Sequence, residues 1–160
     1  DVNSFFDASV KGLNAVRGGT QKFTDRLLLH LQGANQPLRP EGDVVRFLSV
    51  QDLPDGRDFS GCYNPATGAF TCPYGGLSNV KVRAAIAVAA GEPTDTSEVH
   101  VLRNGASAFY RRVVGFGAEI EYTIPELLEG DTVAVRVHSP ASRTLEDSVG
   151  TYLQITAGRQ

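Results

Sequence analysis

The three histidines of this chain, His30, His100 and His138, are the side chains best suited to act as bases or metal ligands. Each falls on a predicted strand, and no two have the short spacing that zinc ligands use within one chain. A nucleophilic serine or cysteine needs such a base within reach, and the G-x-S-x-G turn is absent. The sequence therefore predicts no catalytic residue and no metal site built by one chain.

Paired carboxylates could support acid–base chemistry such as glycoside hydrolysis. Glu119 and Glu121 are two residues apart on a predicted strand and so share one face of it. That pattern is typical of a solvated strand face. We therefore predict that the protein is not an enzyme.

Acidic side chains also collect in predicted loops. Asp52, Asp55 and Asp58 lie in one loop, and residues 92–95 contribute two more acids. Carboxylates and backbone carbonyls are calcium ligands, but no EF-type loop is present, and a solvated turn is the simpler interpretation. We predict no cofactor, with calcium as the alternative. Together with Arg143 of a later loop, the three aspartates are our candidates for contacting a partner.

Cys62 and Cys72 are equally distant from residue 67, inside a predicted turn. Strands paired about that centre would place the two Cβ atoms opposite each other, within disulfide range. Such a disulfide would cross-link the two strands of a hairpin in an oxidising compartment. The alternative is a pair of small buried apolar side chains. The spacing leaves both interpretations open.

Composition excludes several classes of function. The net charge is −3 and basic residues do not run together, which argues against a nucleic-acid partner. No apolar stretch approaches about 18 residues, so no membrane span is predicted. The chain has 160 residues, of which 41% are hydrophobic, enough for one domain with a buried core.

Residues 1–20 differ in pattern from the rest of the chain. Their apolar positions recur at steps of three and four, which indicates one stripe of an amphipathic helix. We predict a helical arm over residues 1–20 and a head over residues 21–160. The apolar side chains proposed to anchor the arm to a larger assembly are Phe5, Phe6, Val10 and Leu13.

From Phe23 onward the pattern is that of strands. About nine short runs of apolar or alternating residues are separated by turn signals, which predicts an all-β sandwich or barrel. Asn104-Gly105 is a hairpin turn signal. Apolar and polar side chains alternate along residues 118–139, which favours antiparallel strands with one solvent-exposed face.

The order of motifs from Val45 onward resembles the complement-type globular head, a branch of the tumour-necrosis-factor-like (TNF-like) jelly rolls. This resemblance implies an antiparallel jelly-roll sandwich, a core position for Phe70, a turn at residues 73–76 and usually a compact homotrimer. The matching segments are VVRF (44–47), YNPATGAFTCP (63–73), GGL (75–77), LRNG (102–105), LEGDTV (128–133) and GTYL (150–153).

One departure from the family concerns the trimer seam. Family members typically carry aromatic residues just after the Gly-Leu pair, on the strand that lines the three-fold axis, whereas this chain has residues 78–80 as Ser-Asn-Val. Other aromatic side chains would have to supply the seam. The candidates are Tyr74, Phe116, Tyr122 and Tyr152.

Two functional hypotheses follow. In the general character of their sequence, segments 104–113 and 127–155 resemble the versions of this head that occur in bacteria and phage virions. The first hypothesis is therefore a trimeric decoration, spike or fibre protein on a virion surface, with capsid proteins as partners and a host-surface glycan as a further target. The alternative is a secreted module, extracellular in location, that recognises a carbohydrate or a protein receptor.

Overall fold

The structure is a computed structural model that describes residues 26–51, 53, 59–115 and 117–158. Several predictions fall outside these residues and stay predictions: the boundary between arm and head, the helical arm with its anchor residues, and a group of individual side chains. That group is Asp52, Asp55, Asp58 and Phe116.

Thirteen strands make up most of the described chain. They are β1 (Arg26–Gln32), β2 (Pro37–Leu38), β3 (Asp43–Val44), β4 (Ser49–Val50), β5 (Tyr63–Asn64), β6 (Ala69–Thr71), β7 (Leu77–Ala89), β8 (Thr96–Arg103), β9 (Ala106–Val114), β10 (Gly117–Leu127), β11 (Thr132–His138), β12 (Arg143–Leu145) and β13 (Tyr152–Gly158). A short 3-10 turn, Ser60–Cys62, precedes β5.

The strands form two antiparallel sheets. The first sheet has the order β2-β12-β7-β13-β1-β4, with β10 pairing along the other edge of β7. The second has the order β5-β6-β11-β8-β9, with β3 also pairing β11. Chain neighbours such as β6 and β7 lie in different sheets, which is the connectivity of a jelly roll. The predicted fold class, an all-β antiparallel jelly-roll sandwich, is confirmed.

The core lies between the sheets and follows from period-two alternation. Phe47 and Phe70 are fully buried, and burying each contributes about 1.5–3 kcal/mol. The core position predicted for Phe70 is therefore confirmed. Alternate side chains of four long strands complete the layer: Val80, Val82, Ala84, Ile86, Ile120, Ile124, Val133, Val135, Val137, Leu153 and Ile155.

The cysteine hairpin differs from the prediction by one residue of register. β5 and β6 pair with Tyr63 opposite Phe70, not in the register that would set Cys62 opposite Cys72. Two amide N–H groups of the turn donate to the same carbonyl oxygen, and Gly68 ends the turn with a φ of 77°. This asymmetric turn moves its centre away from residue 67. Cys62 lies in the 3-10 turn instead of a strand.

Residues 43–50 form two short strands, one in each sheet. β3 pairs β11 in the second sheet, whereas β4 pairs β1 in the first. The chain changes sheets between them, and Phe47 enters the core at the crossing. The two- and three-residue strands β2 and β12 were not predicted, because such short segments show no periodicity.

The turn between β8 and β9 confirms the hairpin predicted at Asn104-Gly105, where both residues have positive φ, 53° and 83°. Asp131, in the turn before β11, stabilises this hairpin. Its carboxylate accepts hydrogen bonds from Arg103 (2.9 Å), the Asn104 amide (3.1 Å) and the Leu128 N–H (3.1 Å). These donors hold the pKa of Asp131 below its ordinary value.

Candidate functional site

The outer side of the first sheet is a broad surface, which we call the first-sheet face. It is made of the side chains of β10, β7, β13 and β1 that alternate with the buried ones, and the register aligns them in rows across the strands. They are Glu119, Glu121, Thr123, Lys81, Arg83, Ala85, Tyr152, Gln154, Thr156, His30 and Gln32.

Charges on the first-sheet face are paired between neighbouring strands. Lys81 lies 3.8 Å from Glu121, and Arg83 lies 3.7 Å from Glu119. The Tyr152 hydroxyl donates to the Glu119 carboxylate. These side chains are about half exposed, so each pair by itself adds little to stability.

The Tyr152 ring is the aromatic centre of the first-sheet face. Burial, together with the hydrogen bond to Glu119, raises the pKa of Tyr152 to about 12. The imidazole of His30 meets its ring edge-on, with centroids 6.1 Å apart, and burial lowers the pKa of His30. Of the described seam candidates, Tyr152 is the one that lies on this face.

The two other described seam candidates lie elsewhere. Tyr122 is opposite Val82 in the register, on the inner side of β10, and its ring stacks on Phe109 of the second sheet at 4.9 Å. Tyr74 lies in the turn before β7 and is 91% exposed. The sequence could not separate these positions, because the face that an aromatic residue occupies depends on strand register.

The outer side of the second sheet carries a second cluster, which we call the outer patch. Three strands contribute two residues each, and the register pairs them in two rows. In chain order they are Glu98, His100, Tyr110, Arg112, Arg136 and His138. Sequence reasoning treated its two histidines as ordinary strand residues and missed the patch.

Hydrogen bonds and ring contacts fix His100 at the centre of the outer patch. Its Nδ1 is hydrogen-bonded to the Ser107 hydroxyl (2.8 Å), and its Nε2 to the Glu98 carboxylate (3.1 Å). The Tyr110 ring stacks on the imidazole at 5.1 Å, and the His138 ring lies 5.0 Å away. His100 is 9% exposed and therefore held in one orientation.

The two arginines of the outer patch differ in their partners. Arg112 donates to Glu98 at 3.0 Å, and this hydrogen bond, with the one from His100, holds the pKa of Glu98 below its ordinary value. The side chain of Arg136 has no hydrogen bond or ion pair within the described part of the chain, and its Nε is buried without a partner.

Ser107, His100 and Glu98 are connected in the order of a nucleophile, a base and an orienting acid. Reaction sites are usually concave, because a pocket excludes water from the reacting atoms. Among the described residues, a cavity of about 520 Å³ is lined by residues 61–65 and 71–73, and not by this cluster. The cluster is thus better suited to holding a molecule against the sheet than to attacking one.

Both cysteines border that cavity as free thiols. The Cys72 thiol donates to the Leu127 carbonyl at 3.3 Å, and its pKa is raised, mainly by burial. Burial also raises the pKa of the Cys62 thiol. The disulfide between them stays a prediction.

Arg143, predicted to contact a partner, forms an ion pair within the chain, and its contact with a partner stays a prediction. Its guanidinium donates two hydrogen bonds to the Asp95 carboxylate, at 2.8 and 3.0 Å, and lowers the pKa of Asp95. The pair joins the loop before β8 to the start of β12. Asp95 is also one of the acids considered for calcium, and its two oxygens are occupied by Arg143.

The described residues contain no group of three His, Cys, Asp or Glu side chains that could hold a metal ion. Within the same residues there is no helix long and apolar enough to cross a membrane.

Comparisons with known proteins show the fold. No family model matches the chain, and no curated protein matches it. Among solved structures, the crystal structure of murine APRIL is similar with a TM-score of 0.54 and 15% identity, covering 84% of this chain and 99% of that chain. Eiger TNF from S. frugiperda is similar with a TM-score of 0.42 and 13% identity, covering 86% and 93%. The fold is a TNF-like jelly roll.

Proposed function

We propose that this chain is a homotrimeric binding module whose subunits meet through the first-sheet face. The observation that carries the proposal is the face itself, with its half-buried Tyr152 and its charges already paired within one subunit. Pairing reduces the cost of removing charges from water when a second copy covers them. The trimer is the assembly that the resemblance to this jelly-roll family implies.

The distribution of charge on the face suits a second copy of the chain. β10 presents Glu119 and Glu121, whereas the adjacent β7 presents Lys81 and Arg83. In a cyclic assembly one side of a subunit meets a different side of the next one. The acidic strand of one subunit can then approach the basic strand of its neighbour, which extends the pairing within each subunit.

We place this module on a virion surface, without catalytic activity and with capsid proteins as its further partners. The support is the similarity in style of segments 104–113 and 127–155 to the bacterial and phage versions of the head. A secreted module that binds a carbohydrate or a protein receptor is the alternative. This alternative has the same trimer as the virion proposal and differs from it in location and in partner.

The mass of the full chain in solution tests the proposal. We expect analytical ultracentrifugation to give about three times the 17.1 kDa of one chain. Arg83→Glu places a negative charge beside Glu119 and Glu121, and we expect it to shift the mass to that of the monomer. Arg111→Glu makes the same change of charge on an exposed part of β9, and it should remain trimeric.

Two results would count against the proposal. One is a monomeric wild-type chain at micromolar concentration. The other is a trimer that survives Arg83→Glu unchanged, because the first-sheet face would then lie outside the interface. Circular dichroism of each variant establishes that it has kept the β fold.

A further inference from the structure

The outer patch contains one positive charge that nothing in the described chain balances. Arg112 is neutralised by Glu98, with which it forms a 3.0 Å hydrogen bond. Arg136 has no such partner, although it is only partly exposed. It lies between Val44 of β3 and His100 of β8 in the register, which explains why its Nε is shielded from water.

A partly buried guanidinium without a partner of opposite charge is less well stabilised than one in water, so an anion would complete the structure here. Arginine presents a planar fork of N–H donors that matches the two oxygens of a carboxylate. The Nε is shielded from solvent, whereas the two terminal nitrogens are not among the buried atoms, and together they form the end-on fork that a carboxylate would contact. The chemistry of Arg136 therefore favours a ligand that carries a carboxylate.

Tyr110 supplies the second recognition element. Its ring is 55% exposed and is backed by the imidazole of His100, which stacks against it at an interplanar angle of 18°. A flat, supported aromatic ring open to solvent is a platform on which the C–H face of a sugar ring can stack. The hydroxyl of Ser107 lies at the border of this platform as a hydrogen-bonding group.

The spacing of these two elements indicates the size of the ligand. Tyr110, His100 and Arg136 occupy one row across three adjacent strands. Two inter-strand spacings separate the outer members by about 10 Å at the backbone. That distance corresponds to a sugar ring on Tyr110 with an acidic group or a second sugar reaching Arg136.

The imidazole of His138 borders the same surface and is held in place. Its ring packs directly on Gly42, where an added Cβ would lie 2.6 Å from the imidazole. Gly42 has a φ of 103°, a conformation that favours glycine. The loop before β3 therefore approaches closely enough to hold His138 beside His100.

We propose that the outer patch binds an acidic saccharide, with its carboxylate on Arg136 and a sugar ring on Tyr110. This site lies on the sheet opposite the first-sheet face, so it does not depend on the proposed trimer. If the trimer forms, it presents three copies of the patch outward, and binding to a multivalent glycan surface gains from their combined attachment.

Glycan binding by the full chain tests the site. The probe is an array of uronic-acid and sialic-acid glycans printed beside their neutral parents, read at physiological salt. We expect retention of acidic glycans above their neutral parents. Arg136→Gln and Tyr110→Ala are each expected to weaken binding of the retained glycan by about tenfold or more, measured by titration calorimetry.

Matched controls separate the site from general attraction of charge. Arg111→Gln removes the same charge from an exposed position of β9, and Tyr74→Ala removes a 91% exposed tyrosine at the end of the sandwich. Both should bind within about twofold of the wild type. Arg136→Met also removes the unpaired charge, and we expect it to raise the Tm while abolishing binding.

Three results would overturn the proposal. The first is an array on which no acidic glycan exceeds its neutral parent. The second is an Arg136→Gln protein with wild-type affinity. The third is an equal loss of binding in Arg111→Gln, which would mean that net charge and not the patch attracts the glycan. Because Arg136→Met should be well folded, its loss of binding cannot be attributed to unfolding.

Discussion

The hydroxyl of Tyr63 satisfies a backbone group that water cannot reach. Phe47 enters the core where the chain changes sheets, and its N–H donates to the Tyr63 oxygen at 2.8 Å. Burial raises the pKa of Tyr63 to about 12. The side chain therefore stays neutral, and it accepts this hydrogen bond at any ordinary pH.

We expect Tyr63→Phe to lower the free energy of unfolding by about 1–3 kcal/mol, because the Phe47 N–H is left buried without an acceptor. Urea denaturation measures the change. Tyr74→Phe removes the same hydroxyl from a 91% exposed ring and should leave stability unchanged. Equal stability of the two variants would show that the hydrogen bond contributes nothing.

Single residues also separate the two surfaces of the molecule. On the first-sheet face each described charge has a partner of opposite sign, as with Lys81 and Glu121. On the outer patch Arg136 has none among the described residues. A paired surface is suited to being covered by protein, whereas an unpaired guanidinium is suited to an anionic ligand. This difference is the reason for assigning the two surfaces different partners.

At the scale of elements, the hairpin of β5 and β6 depends on its glycine. Gly68 has a φ of 77°, and a Cβ there would lie 2.4 Å from the Val45 carbonyl oxygen. The turn therefore packs backbone against backbone beside β3. This close approach holds the hairpin against the segment that leads to Phe47.

Gly68→Ala should destabilise the fold by about 2–4 kcal/mol, since it combines a left-handed backbone conformation with a clash against backbone. Gly75→Ala tests the conformation alone, because its φ is 92° and nothing lies within 4 Å of the added Cβ. We expect about 1–2 kcal/mol there. Thermal and chemical denaturation give both values, and equal costs would contradict the clash.

At the scale of the whole molecule, the two faces of the sandwich have separate roles in our proposal. β1 begins at Arg26, so the predicted arm of residues 1–20 joins the head through the first strand of the first sheet. The outer patch lies on the opposite sheet.

Deleting residues 1–20 is expected to leave a soluble, folded head that no longer joins its assembly, because the apolar stripe of the arm is the proposed anchor. Circular dichroism reports the fold, and co-purification with the particle reports incorporation. As a control, Phe5 and Phe6 can be replaced by serine in the full chain, which should give the same loss. Incorporation of the truncated head at full occupancy would show that the anchor lies elsewhere.

Local patterns in the sequence were sufficient to predict an all-β sandwich or barrel, and the family resemblance narrowed this prediction to a jelly roll. The alternation of Ile120, Tyr122 and Ile124 with polar residues predicted a strand with one buried face, and Asn104-Gly105 predicted a hairpin. Both were confirmed, because period-two burial and type I′ turns depend on residues close together in the chain. The core position of Phe70 was implied by the resemblance to the jelly-roll family, and the structure confirms it.

Only the tertiary structure decided which polar side chains meet. A regular hairpin about Asn104-Gly105 would put Tyr110 opposite Val99, on the core side, but a bulge at Val101/Leu102 shifts the register and sets Tyr110 opposite His100. The shift allows Phe109 to pack against the core. Arg136 joins them from β11, about thirty residues away in the chain, through pairing that no local pattern encodes. The sequence by itself determined the long strands and the Asn104-Gly105 turn, whereas burial of the core determined the register of the strands and so created the outer patch.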